Sequence, residues 1–144
     1  MSELDDFLGT VIPRYIQVEK AFASGDVEPR LTMWTRLDPV SVVGAAGPVR
    51  TGWAEVEESF RWFAGRVSDC SGYDLDIITA DVRGDLAYVV CWERAMLRMD
   101  GEPRKIVLRV THIYRREDGE WKNVHRHADP LTEDPMANPD DDRH

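Results

Sequence analysis

The first half of the chain has the hydrophobic spacing of helices. Apolar residues recur every three or four positions at Leu4, Leu8, Val11, Tyr15, Val18 and Phe22. This spacing predicts an amphipathic helix with one buried stripe. Proline is best tolerated in a first turn, so Pro13 predicts that the regular helix begins near Thr10, and Gly25 ends it. A short second helix is predicted over 28–37 and a third over 52–67.

In the second half the period changes to two. Four stretches rich in Val, Ile, Tyr, Trp and Thr are predicted as strands: 73–82, 86–99, 104–116 and 120–128. The segments RGD, DGEP and EDGE between them are typical of tight turns. A further strand is predicted over 40–44, followed by a turn-rich crossover. The pattern predicts an α+β domain in which three N-terminal helices cover one face of a curved antiparallel sheet.

The strand predicted over 86–99 is apolar on both faces. One face carries Leu86, Tyr88, Val90, Trp92 and Met96, and the other carries Val89, Cys91, Ala95 and Leu97. An antiparallel sheet with one solvated face alternates more cleanly between apolar and polar residues. We therefore expect the helices to cover one face and a second copy of the chain to cover the other. This predicts a homodimer.

Composition restricts the partners and the location. The 144 residues suit one domain, which we assign to 1–131, followed by an acidic tail at 132–144 that we expect to be disordered. A net charge of −9 argues against nucleic acid, which needs a basic face. An acidic N-terminus and the lack of a long apolar run argue against a secretory signal and a membrane partner, so we expect a cytoplasmic protein. Cys70 and Cys91 are then expected to be free thiols.

Four segments resemble the nuclear-transport-factor-2-like superfamily, and most closely its SnoaL-like, ketosteroid-isomerase-like branch. They are AFASGD, MWTRLDPVSVVGAAG, the GW pair that opens the third helix, and RVTHIYRREDGEWKNVHRHAD. The last segment is also similar to the closing hairpin of the association domain of calcium/calmodulin-dependent kinase type II. The resemblance spans about residues 8–130. It implies a cone-shaped fold with an internal pocket, in which some members transform small apolar molecules and others bind ligands or assemble oligomers.

Three polar residues alternate in the last predicted strand. His125, His127 and Asp129 share one face. Zinc needs three or four ligands, and Asp129 lies where Pro130 ends the strand, so we assign no metal. The histidines could instead hydrogen-bond across the sheet, cap the pocket, or act in it as acid, base or donor. His127 is our candidate catalytic residue and His125 our candidate ligand contact.

Charged residues also lie in the middle of apolar strands. Arg94 and Arg109 could each form an ion pair, face solvent, or clamp an anion or carbonyl in the pocket, because a buried guanidinium needs a partner. Arg94 is similar in position to pocket arginines of the kinase association domains without a gap, and Arg109 with a two-residue shift. Glu93 is our candidate acid or base, provided that an apolar setting raises its pKa. Since Glu93 and Arg94 point to opposite faces, both reach the pocket only if a bulge intervenes.

Tryptophans complete the predicted site. Trp34, Trp53 and Trp92 could wall a cavity for a flat, apolar ligand, or could each belong to the core. The Tyr and paired Asp of true steroid isomerases have no counterpart in this sequence. We therefore predict a protein that binds a partly apolar carbonyl or carboxylate compound without a cofactor. The alternatives are an isomerase, lyase or cyclase that uses general acid–base catalysis, and a non-catalytic oligomerisation module.

Overall fold

The computed structural model describes residues 2–131, which form three helices and one six-stranded sheet. The helices are α1 (Glu3–Ala23), α2 (Glu28–Met33) and α3 (Trp53–Ala64). The strands are β1 (Ser41–Val43), β2 (Val49–Thr51), β3 (Val67–Arg83), β4 (Leu86–Met99), β5 (Glu102–Glu117) and β6 (Glu120–Pro130). The predicted α+β class is confirmed. The predicted disordered tail lies outside the described residues.

Helix α1 begins earlier than its proline suggests. The side chain of Ser2 accepts a hydrogen bond from the backbone N–H of Asp5 at 3.1 Å, and the Asp5 carboxylate accepts one from the N–H of Ser2 at 3.5 Å. This capping box satisfies backbone donors at the helix start. Phe7 is 1% exposed and packs against aromatic rings of the sheet. The prediction of a start near Thr10 is wrong, because this cap and packing outweigh the backbone hydrogen bond that Pro13 forgoes.

The sheet follows the predicted hairpins. Its strand order is β2-β1-β6-β5-β4-β3. Strands β3 to β6 pair antiparallel with their neighbours, whereas β1 runs parallel to β6. The segment that the sequence analysis predicts as a turn-rich crossover contains β2, which pairs antiparallel with β1. Helix α2 is four residues shorter than predicted, since the extended backbone of Trp34 forms a bridge to Asn123.

The helices pack on one face of the sheet through two main apolar clusters. The first joins α1 to the middle strands and includes Phe7, Val11, Tyr15, Val89, Val110 and Tyr114. The second joins the three helices to β1 and includes Phe22, Leu31, Trp34, Val42, Val56 and Phe60. A smaller cluster ties the end of α1 to β3 and β4. Side chains of the second and third clusters line a hollow between helices and sheet.

A β-bulge in β6 decides which of its side chains face the helices. Ile113 pairs with His125, but the next residue of β5 pairs with Asn123, so Val124 is an extra residue. Such an insertion shifts the alternation of the strand. Asn123 and Arg126 are both buried, whereas His127 is exposed. The bulge therefore turns Arg126 inward and the histidines outward.

Gly25 provides a test of the packing between α1 and the sheet. Its φ is +94°, and a Cβ there would lie 2.7 Å from the backbone oxygen of Val67. We expect Gly25→Ala to lower the free energy of unfolding by about 1–3 kcal/mol, because both backbone conformation and contact become strained. Gly9→Ala is the matched control. An added Cβ at Gly9 would meet no atom within 4 Å outside its own helix turn, and the position is helical. Alanine there should therefore raise the free energy of unfolding by about 1 kcal/mol. Urea unfolding measures both changes, and equal effects of the two substitutions would contradict this prediction.

Candidate functional site

The hollow is a cavity of about 510 Å³ between the helices and the concave face of the sheet. Its walls are largely apolar: Phe22, Val42, Phe60, Phe63, Leu97, Ile106 and Leu108. Its inner end is polar, with Glu19, Arg30, Tyr73, Glu93 and Arg126. Its outer end is formed by Trp62, Arg66, Arg104, Lys105, Pro130 and Leu131. The cavity thus combines an apolar body with polar groups at both ends, as small-molecule sites commonly do.

Glu93 is the centre of the inner polar end. Its side chain is 4% exposed, and it accepts hydrogen bonds from three donors. The Tyr15 hydroxyl donates to Oε2 at 2.8 Å, and the Tyr73 hydroxyl donates to Oε1 at 2.5 Å. Nη2 of Arg126 donates to Oε2 at 3.1 Å. A buried carboxylate with two phenols and one guanidinium around it is stabilised in its ionised form.

A second ion pair completes the charge balance. Arg30 donates two hydrogen bonds to the carboxylate of Glu19, and both side chains are 5% exposed. The Arg30 guanidinium lies 3.5 Å from the centre of the Phe22 ring, a cation–π contact. Nη2 of Arg126 is 3.7 Å from Oε1 of Glu19, which links the two pairs. Two carboxylates and two guanidiniums therefore lie together away from bulk water.

The electrostatics of this end follow from burial and from these contacts. Burial alone would raise the pKa of Glu93, but the Arg126 charge and the hydrogen bonds from the tyrosines hold its pKa below the usual range. Burial, together with the neighbouring Glu93 charge, raises the pKa of the Tyr73 hydroxyl. At neutral pH Glu93 is thus a carboxylate and both phenols are neutral. The sequence analysis proposed Glu93 as an acid or base on the condition that its surroundings raise its pKa. In the structure its surroundings lower its pKa instead.

One group of potential metal ligands lies next to the inner polar end of the cavity and includes Glu93. Ligand atoms of Cys91, Glu93 and His112 lie within 4.8 Å of one another, and all three residues are buried. The donor types suit zinc. However, Arg126 donates to the Glu93 carboxylate and would repel a cation bound there. Burial lowers the pKa of His112 to about 3, so its ring is neutral and stacks on Tyr15 at a centroid distance of 4.4 Å. We interpret this group as core packing.

The two candidate histidines lie on the outer face of the sheet. Nδ1 of His125 is 2.8 Å from the hydroxyl oxygen of Ser41 on the adjacent strand. His127 is exposed. Neither residue lines the cavity, because the bulge in β6 directs both away from the helices. Hydrogen bonding across the sheet, one of the alternatives that the sequence left open, describes His125.

The two candidate arginines also point outward, and both form ion pairs. Arg94 lies 3.4 Å from Asp74 and 3.2 Å from Asp76 on β3. Arg109 donates two hydrogen bonds of 2.9 Å to Asp129 on β6. Neither arginine lines the cavity. No bulge in β4 separates Glu93 from Arg94, so strand alternation places one inside and the other outside.

The three candidate tryptophans contribute to packing instead of the cavity wall. Trp34 is 3% exposed and packs edge-on against Phe60 at 4.8 Å between ring centroids. Trp53 is half-buried beside the guanidinium of Arg36. Trp92 shares the outer face of the sheet with Arg94 on the same strand and Arg109 on β5, and it is 7% exposed. The tryptophan that lines the cavity is Trp62, which is 50% exposed at the outer end.

Sequence reasoning missed most of the inner polar end, although one signal was present. Glu19 follows Tyr15 by four residues and therefore lies on the buried stripe of α1, where a charged residue needs a partner. Arg30, in the short second helix, is that partner. Arg126 was missed because the bulge in β6 changes which residues of the strand face inward. Tyr73 was missed because it lies just after an irregularity in the ladder between β3 and β4.

Comparison with known proteins agrees with this architecture. A profile of the SnoaL-like domain matches residues 14–132. The chain belongs to the SnoaL-like domain family. The resemblance inferred from the sequence is thereby confirmed. A search of curated proteins finds no match.

Solved structures share the fold of this SnoaL-like protein along most of its length. A candidate dehydratase of the nuclear-transport-factor-2-like family from Streptomyces avermitilis is 24% identical, with a TM-score of 0.71, over 90% of this chain and 99% of the other. A ketosteroid isomerase-like protein from Erwinia carotovora is 16% identical, with a TM-score of 0.72, over 89% and 98%. A candidate association domain of calcium/calmodulin-dependent kinase type II from Thiobacillus denitrificans is 23% identical, with a TM-score of 0.70, over 85% and 96%. At these identities the likeness establishes the cone-shaped fold alone.

No helix among residues 2–131 has both the length and the apolar character needed to cross a membrane.

The buried charge network makes a prediction about stability. We expect Arg126→Met to lower the free energy of unfolding by about 3–5 kcal/mol, because Glu93 would remain buried without its guanidinium. Adding Glu93→Leu should recover part of this loss, since the unpaired charge is then removed. Arg94→Met is the control: its aspartate partners are 69% and 68% exposed, so its loss should be within about 1 kcal/mol. Chemical denaturation measures all three variants. A double variant less stable than Arg126→Met would contradict the proposed pairing.

Proposed function

We propose that this SnoaL-like protein binds a small, partly apolar molecule in the cavity, with an oxygen of the ligand at the inner polar end. The observation that carries the proposal is the hollow itself. A volume of about 510 Å³ lies between the helices and the sheet, with aromatic and aliphatic walls. A tightly packed domain core leaves few voids larger than a water molecule. A hollow of this size with convergent polar groups therefore suits a ligand.

Binding is favoured over proton abstraction by the state of Glu93. Its carboxylate already accepts hydrogen bonds from Tyr15, Tyr73 and Arg126. Its pKa lies below the usual range, which makes it a weak base at neutral pH. The same arrangement fixes the orientation of the Tyr73 hydroxyl, whose oxygen can still accept a hydrogen bond. The inner end thus resembles a preorganised recognition surface more than an acid–base pair.

The alternative is cofactor-independent catalysis, as an isomerase, lyase or cyclase. The observation in its favour is that Glu93 and Tyr73, an ionisable pair, meet at the cavity wall. In that case Glu93→Gln would abolish turnover of a bound ketone or hydroxy compound while the ligand still bound. Under the binding proposal the same variant changes affinity, and the wild-type protein leaves its ligand chemically unchanged.

A cavity-filling substitution tests ligand binding. In a thermal-shift screen of medium-chain and aromatic acids and ketones, we expect at least one compound to raise the Tm of the wild-type protein. Ala95→Phe should abolish this shift, because Ala95 lines the cavity and a phenyl ring would occupy it. Ala54→Phe is the control, since Ala54 is exposed on α3 and does not line this cavity. If Ala95→Phe keeps the full shift, the ligand binds elsewhere and the proposal is wrong.

We also propose that two copies associate through the outer face of the sheet. Large apolar side chains are exposed on the outer face of β4: Leu86 is 52% exposed, Tyr88 40% and Met96 54%. They share this face with Trp92 and with Arg94, which lies between Trp92 and Met96 and pairs with Asp76 on β3. The ion pair of Arg109 with Asp129 lies beside Trp92 on the neighbouring strands. A strand face with several exposed apolar side chains and a few ion pairs is typical of a protein interface. A second copy presents the same face to it.

Mass measurement tests this association. We expect the wild-type protein to elute with twice the chain mass in size-exclusion chromatography with light scattering. Tyr88→Glu combined with Met96→Glu should give a single chain, because four like charges would then meet across the interface. Leu37→Glu is the control, since Leu37 is 62% exposed but lies in the segment that follows α2, outside the sheet. A wild-type protein that is monomeric, or a double variant that stays dimeric, contradicts this assignment.

A further inference from the structure

The inner end of the cavity has no net charge to offer an anion. Glu19 and Glu93 contribute two negative charges, and Arg30 and Arg126 contribute two positive charges. Both guanidiniums already contact carboxylates, so an acidic ligand group placed there would be a third, unbalanced anion. Taking an unbalanced charge out of water is strongly unfavourable. The inner end therefore suits a neutral oxygen.

A donor for such an oxygen is present. Nε and Nη2 of Arg126 donate to Tyr15 and Glu93. Among the described residues, none accepts a hydrogen bond from Nη1 of Arg126. A carbonyl or hydroxyl oxygen in the cavity can accept from this nitrogen without changing the charge balance.

The outer end of the cavity is cationic, in contrast to the chain as a whole. Arg104 is exposed, and its partner across the ladder is Leu97, a residue of the inward face. Lys105 is exposed beside it at the edge of the cavity, but its ladder partner is Met96 of the outer face, so Arg104 is the one of the two that strand alternation directs inward. The nearby carboxylate of Asp100 is hydrogen-bonded through both oxygens to Arg66, at 3.3 and 2.9 Å. The charge of Arg104 also acts on Asp100, but Arg104 forms no hydrogen bond to a carboxylate among residues 2–131.

The strand ladder gives the separation between the two ends. On β4, Glu93 is four residues from Leu97, and on β5 their partners Leu108 and Arg104 are also four residues apart. Four residues of strand span about 13 Å. An extended chain of about ten carbon atoms has this length. The wall between the ends is apolar, with Ala95, Leu97 and Ile106 among its residues.

We infer that the ligand is a bipolar amphipathic acid, with an acidic group at Arg104, a neutral oxygen at Arg126, and an apolar body of about ten carbon lengths between them. This inference rests on the proposed ligand-binding function and specifies its ligand class. The acid remains at the solvated end, where a charge-assisted hydrogen bond to Arg104 forms at small desolvation cost. The apolar body and the neutral oxygen enter the dry part of the cavity.

Matched probes test the inference on the full chain. 10-Hydroxydecanoic acid carries both predicted groups, its methyl ester lacks the charge, and 6-hydroxyhexanoic acid lacks the length. We expect the ten-carbon acid to bind at least about tenfold more tightly than either of the others in isothermal titration calorimetry. Arg104→Gln should reduce the affinity for the acid to that for the ester and leave the ester unchanged.

Arg98→Gln is the matched control for this experiment. Arg98 is exposed near the same hairpin, bonds the carbonyl of Gly101 at 2.9 Å, and does not line the cavity. The Arg98→Gln substitution removes the same charge from the chain as Arg104→Gln. If Arg98→Gln leaves the affinity for the acid unchanged, the effect of Arg104 is local.

Two results would overturn the inference. If the ester binds as tightly as the acid, or if Arg104→Gln and Arg98→Gln have equal effects, the acidic group is not bound at Arg104. Ligand binding itself would survive that outcome, because the ester would still bind in the cavity and Ala95→Phe would still block it. If no probe and no compound of the thermal-shift screen binds, the proposed function fails together with the inference.

Discussion

The site depends on the charge balance of four buried groups. Glu19, Arg30, Glu93 and Arg126 come from α1, α2, β4 and β6, and each ion is stabilised only while its counter-ions stay in place. One ion pair joins α1 to α2 and the other joins β4 to β6. The contact between Arg126 and Glu19 and the hydrogen bond from Tyr15 to Glu93 then link the helices to the sheet. Tyr73, which also donates to Glu93, extends this connection to β3. The polar end of the cavity and the attachment of helices to sheet are parts of one network.

This balance also shapes the chemistry of the cavity. A carboxylate with its hydrogen-bond partners already in place is a poor proton acceptor but a rigid one, so the groups around it are held in fixed positions. For the proposed ligand, the apolar wall would provide the favourable free energy of burial, and the polar ends would provide orientation. The contrast between a neutral interior and a cationic entrance, on a chain of net charge −9, sets the direction in which an acidic ligand would enter.

The general fold could be predicted from the sequence, and the site only in part. Helical spacing in the first half and alternation in the second identify the elements, because each face is either buried or exposed along its length. Glu93 was named as a candidate because it lies in the middle of a strand, between Trp92 and Arg94, and in the structure it lines the cavity. Arg126 was not named as a candidate, because a bulge of one residue cannot be predicted from the alternation of apolar and polar residues alone. Glu19 and Arg30 meet through tertiary contact between two helices, which no local pattern encodes.

The extra residue at Val124 has a consequence for how related pockets diversify. If the bulge lay after His127 instead, the residues between Val124 and His127 would each face the opposite side of the sheet. The imidazoles of His125 and His127 would then face the interior, and the guanidinium of Arg126 would face outward. A change in where the backbone absorbs one residue would then exchange the interior functional groups with no substitution in the segment. Descendants of one ancestral strand could in this way acquire different reactivities while their sequences stay alignable without gaps.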